Sequence, residues 1–93
     1  MEVMSMEQMA KSNSNFASVL YEQFREMANV LSGLLLGLCD RYAAIGDYDS
    51  EAVLLEEWSS LDHAARTCPV DDISMQVSLM EEWRFAIAGL RAL

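Results

Sequence analysis

The residues best suited to acid–base chemistry come as two adjacent glutamate pairs. Glu56–Glu57 and Glu81–Glu82 sit in the matching stretches LLEEW, Leu54–Trp58, and LMEEW, Leu79–Trp83. Paired carboxylates cleave glycosidic bonds when they flank the scissile atom from two sides. Neighbours in a helix diverge by about 100° and cannot face one another across a substrate. Carboxylates on two facing helices can hold metal ions, but such bundles use Glu-x-x-His on paired helices. The one histidine, His63, has Ser60 three residues before it. It follows Asp62 in LDHAA and reads as a surface or boundary residue of a helix. The only cysteines are Cys39 and Cys68. Cys68 lies five positions beyond His63 and on another side of the same helix, so the two make no nucleophile–base pair. There is no Gly-rich phosphate loop, nucleophile elbow or zinc spacing. The sequence therefore predicts no catalytic residue, no metal site and no cofactor.

The two glutamate stretches invite a different reading. In each, the aliphatic pair and the tryptophan fall three or four positions apart, on one helix face, and the glutamates between them point outward. The offset of 25 residues matches no common repeat length, and the sequences diverge on either side. They are two uses of the same amphipathic pattern, with Trp58 and Trp83 as rigid core or interface anchors.

The elements that carry these residues are helical. The 93 residues include one proline and bound the chain to a single domain, 1–93. Residues 1–13 read as a frayed or separate short helix: Val3, Met6, Met9 and Ala10 form a weak stripe, Ser5 and Gln8 a capping box, and the SNSN of Ser12–Asn15 an interruption. In the next segment Leu20, Phe24, Met27, Leu31, Leu34 and Leu38 step by 4, 3, 4, 3 and 4, and Tyr42 and Ile45 extend the line. Val19, Val30 and Leu35 widen this face, so the helix needs more than one neighbour. Gly33 and Gly37 interrupt it, at a cost of about 1 kcal/mol each relative to alanine. That cost predicts a close helix approach at the glycine pair. Gly46 ends the segment, and Asp47, Asp49 or Ser50 starts the next. Leu54, Trp58, Leu61, Ala65 and Cys68 line the third segment up to Pro69. After Val70–Asp72, the last one carries Ile73, Val77, Met80, Trp83, Ile87 and Leu90. The expected fold is all-α, a small antiparallel helical bundle of three main helices with a short N-terminal one.

Charge narrows the partners. The net charge is −9, and from Asp47 to Glu82 ten acidic residues face one basic residue, Arg66. Direct nucleic-acid binding needs clustered Lys and Arg and is not expected, nor is adhesion to an anionic membrane. The longest apolar run, Met27–Cys39, has 13 residues and is too short to span a bilayer. No secretory leader is read at the start of the chain, and a cytoplasmic location is expected. Hydrophobic residues make up 53% of the chain, enough to leave apolar surface over after a small core is filled.

Within LCDRYAAIGDYD, Leu38–Asp49, Tyr42, Gly46 and Tyr48 resemble the turn of a tetratricopeptide repeat, where a tyrosine precedes a G-x-Y turn between antiparallel helices. Cys39 stands where that family usually has glycine, and the small residue of the second helix comes one position late, at Ala52. Nothing repeats at 34 residues, so the resemblance implies a helical hairpin, not a repeat array. By type alone, a small acidic helical chain with surplus apolar residues is also similar to the chaperones of bacterial type III secretion. That likeness implies a non-catalytic chaperone or adaptor that cradles an amphipathic helix of an aggregation-prone subunit. The residues expected to meet the partner are Leu20, Phe24, Met27, Leu31, Leu34, Leu35, Leu38, Trp58 and Trp83. A homodimer through the Leu20–Leu38 seam is compatible with it. The alternative is an acidic inhibitor that occupies a nucleic-acid site on another protein, in the manner of some small phage proteins. Its binding would fall steeply with salt, whereas an apolar groove responds little.

Overall fold

The computed structural model describes residues 14–93 of the chain. They form three helices: α1, Ser14–Ala44; α2, Tyr48–Thr67; and α3, Ile73–Arg91. No strand occurs among the described residues. The short N-terminal helix expected before Lys11 lies outside them.

Local sequence sets the boundaries. At the end of α1 Gly46 adopts φ 77°, the left-handed region that only glycine enters freely. This lets the Asp47 N–H reach the Tyr42 carbonyl at 2.9 Å and the Gly46 N–H reach Ala43 at 3.0 Å. The pair is the Schellman arrangement, which satisfies carbonyls that the helix end leaves open. Asp47 then caps α2: its carboxylate accepts from the Ser50 N–H at 3.2 Å and the Ser50 hydroxyl at 2.7 Å. Asp72 caps α3 through the Met75 N–H at 3.0 Å. Between them Cys68 is extended, at φ −68° and ψ 121°, as the residue before Pro69 must be.

The 31-residue α1, about 46 Å long, is the spine. α2 lies antiparallel along it in a heptad-like register. Cys39 meets Glu51, Ser32 meets Trp58 and Arg25 meets Ala65, so seven residues down α1 match seven up α2 each time. α3 packs on another side of α1, where the Phe24 ring stacks on Trp83 at 5.0 Å and on Tyr21 at 5.9 Å. The core residues of α1 are Phe24, Ala28, Leu31, Leu35 and Cys39. Leu61 and Ala65 come from α2 and Cys68 from just past its end; Gln76, Met80 and Trp83 come from α3.

This inner line differs from the seam read in the sequence. Leu20, Met27, Leu34 and Leu38 are only half-buried, whereas Leu35, expected in a side stripe, is closed off. The reason is geometric. Residues between the two neighbours of α1 are covered from both sides, while Met27, Leu34 and Leu38 line open crevices beside α3. Among the described residues the close approach expected at Gly33 and Gly37 is not made: both are exposed, and a Cβ on either would meet nothing within 4 Å.

Candidate functional site

Both α2 and α3 pack on α1 but not on each other. Nowhere do their Cα atoms come within 8 Å, although directly packed helices lie only 8–10 Å apart axis to axis. The splay leaves an open groove of about 930 Å³. Leu31 and Leu35 of α1 form its floor, with Leu61 and Trp83 beside them. One wall runs from Val53 to Ala64 on α2, about 17 Å, and the other from Leu79 on α3 to Leu93 just past its end, about 21 Å. Val53 and Leu93 lie at its mouth and are well exposed.

Polar chemistry in the groove is confined to the walls. Glu56, Glu57 and Ser60 stand on the α2 side and Glu82 on the α3 side, and no Lys or Arg among the described residues lines it. The glutamate pairs are exposed, as their helix positions require; Glu56, Glu57 and Glu82 flank the groove, Glu81 does not line it, and no two of them face each other across a buried cleft. Arg84 and Arg91 lie along the other crevice, between α1 and α3, with Arg41 farther down that side. Glu26 shares that crevice with the two arginines, so it is mixed in charge where the groove wall is acidic.

The residues expected to meet a partner divide. Leu31, Leu35 and Trp83 underlie the groove, buried yet forming its base. Phe24 is fully enclosed in the chain's own core. Leu20, Met27, Leu34 and Leu38 lie away from the groove, on the flanks of α1. Trp58 is half-buried on the α1–α2 seam, its indole N–H donating to the Ser32 hydroxyl at 2.6 Å. The groove residues that the sequence reading missed are Leu61, Leu79 and Leu90. They were visible as apolar positions, but nothing in their spacing marked them as unroofed.

The groups that could do chemistry are dispersed. His63 is exposed on α2, whereas Cys68, expected on the same helix, is the extended residue just past its end and is buried in the core. Burial pushes the Cys39 thiol up, and Glu51 and Asp40 push it further. Burial likewise raises Cys68, with a smaller contribution from Asp72. Both cysteines are free. Among the described residues no group of His, Cys, Asp and Glu is placed to hold a metal ion, and no helix is long and apolar enough to cross a membrane.

Gln76 was also missed. The spacing placed Val77 inward, but Gln76 is fully buried and Val77 is partly exposed. Its amide donates to the carbonyls of Pro69, at 3.0 Å, and Val70, at 2.9 Å, which ties the α2–α3 loop to α3. Loop carbonyls drawn toward a core need a donor, and a glutamine supplies one where a valine cannot. Comparison of the chain with protein-family profiles, curated proteins and solved structures finds no match.

Proposed function

We propose that the chain is a non-catalytic protein-interaction module, a chaperone or adaptor, whose α2–α3 groove holds an amphipathic helix of a protein partner. The observation that carries this reading is the splay of α2 and α3 over the floor of Leu31 and Leu35. A groove 17–21 Å long suits about 11–14 residues of helix, or three to four turns. Such a helix would complete a four-helix arrangement, with anchors at i, i+3 or i+4 and i+7 in the groove. The likeness by type to type III secretion chaperones points the same way and names one class of client.

The test uses groove-filling variants. Ser60→Trp on one wall and Ala86→Trp on the other add bulk at exposed positions without changing charge. With the full chain as bait in its native host, the expected result is a protein retained by the wild type and released by both variants, with unchanged melting temperatures. Cross-linking should place the captured segment of that protein in an amphipathic helix. Retention by both variants would refute the groove as the site. The acidic-inhibitor reading is distinguished by capture that survives groove filling and is lost in high salt.

A further inference from the structure

We infer that the partner helix is basic-flanked: an apolar stripe bordered on both sides by Lys or Arg, three to four turns long. The inference rests on the reading of the groove above and specifies its occupant. Among the described residues every ionisable side chain lining the groove is a carboxylate, Glu56 and Glu57 on one wall and Glu82 on the other. A helix seated with its apolar stripe on Leu31 and Leu35 brings its flanking residues up to these walls. Cations there meet carboxylates on both sides, and acidic flanks meet like charge.

The same charges argue against the other occupants. A second copy carries its own net charge of −9, and the exposed face of α1 sets Glu22, Glu26 and Asp40 against Arg25 and Arg41. Docking it would bring a net negative surface to an acidic rim, with no row of cations on either side of an apolar stripe. The chain's own residues 1–13 set Glu2 and Glu7 against the single cation Lys11, so they do not supply cationic flanks on both sides.

Fluorescence anisotropy with the full chain tests the proposal, using two labelled synthetic helices of about 14 residues. Both have leucine at i, i+3, i+4 and i+7; one carries lysine at its remaining positions, the other glutamine. Each rim ion pair is worth a few-fold in affinity, so the lysine helix should bind at least about tenfold more tightly than the glutamine helix. Added salt should narrow that gap without abolishing binding, because the apolar floor is not screened. Reversing Glu56, Glu57 and Glu82 to lysine should remove the preference. Reversing Glu22, Asp40 and Asp71, an equal change in net charge away from the groove, should leave most of it. Ser60→Trp and Ala86→Trp should abolish binding of both helices.

If both helices bind equally and groove filling blocks both, the basic class is overturned and the groove reading stands. If the lysine helix binds but ignores groove filling, it is held by the general acidity of the surface, and both are overturned. Absence of binding by either helix overturns both as well.

Discussion

Replacing Gly33 and Gly37 together by alanine tests the geometry of α1 through two residues that look indispensable in the sequence. Glycine in a helix interior is less stable than alanine by about 0.8–1.0 kcal/mol, chiefly through backbone entropy. Neither position is occupied by a neighbouring element, since an added Cβ meets nothing within 4 Å. Nor does either need a positive φ; only Gly46 has one. The pair should therefore stabilise the chain by about 1.6–2 kcal/mol. For a domain of this size that raises the melting temperature by about 6–16 °C. The assay is thermal and urea unfolding followed by far-UV circular dichroism, at low and high micromolar protein. The account predicts the same gain at both concentrations. A fall in melting temperature, or a gain that disappears as the protein is concentrated, would refute it. Either result would mean that another helix, from a second copy, lies against Gly33 and Gly37.

Three further outcomes follow from the packing. Phe24→Ala deletes a fully enclosed ring stacked on Trp83, and should cost about 3–5 kcal/mol in urea unfolding. Gln76→Ala leaves the Val70 carbonyl without its donor and should cost about 1–3 kcal/mol, with faster amide hydrogen exchange in the first turn of α3. The thiols of Cys39 and Cys68 are raised above the ordinary value of 9.0, so they favour the folded state while protonated. Their contribution is complete below 9.0 and is lost as pH rises from there through the folded values. Unfolding free energy should decline on that alkaline side, and Cys39→Ala with Cys68→Ala should flatten the decline. Thiol reagents should modify the wild type only as fast as it opens.

Much of the architecture was legible because it is encoded locally. Gly46 and Pro69 punctuate the chain by their backbone limits, and Asp47 and Asp72 stand where a cap must. The 4-3 spacing of apolar residues gave the helices and the facing of the glutamate pairs. What periodicity could not give is which of two adjacent rows on α1 is innermost. Leu31 belongs to both readings, but the choice of Leu35 over Leu34 and Leu38 depends on where α2 and α3 settle around the spine. Gln76 escaped for a related reason, since its partners are loop carbonyls whose positions exist only in the folded chain. The glycine pair misled because the same residues that permit a close approach do not require one. The groove was the least visible feature. It arises from the distance between α2 and α3, and no residue pattern on either helix records that distance.

The most direct test of the account is to map, by backbone amide chemical shifts of the full chain, where the leucine–lysine helix binds. The account predicts perturbations along Val53–Ala64 of α2 and from Leu79 of α3 to Leu93 just past its end, centred on Leu31 and Leu35 of α1, with Gly33 and Gly37 unmoved. Perturbations centred on Gly33, Gly37 and Arg41 instead, with the α2–α3 groove silent, would contradict it.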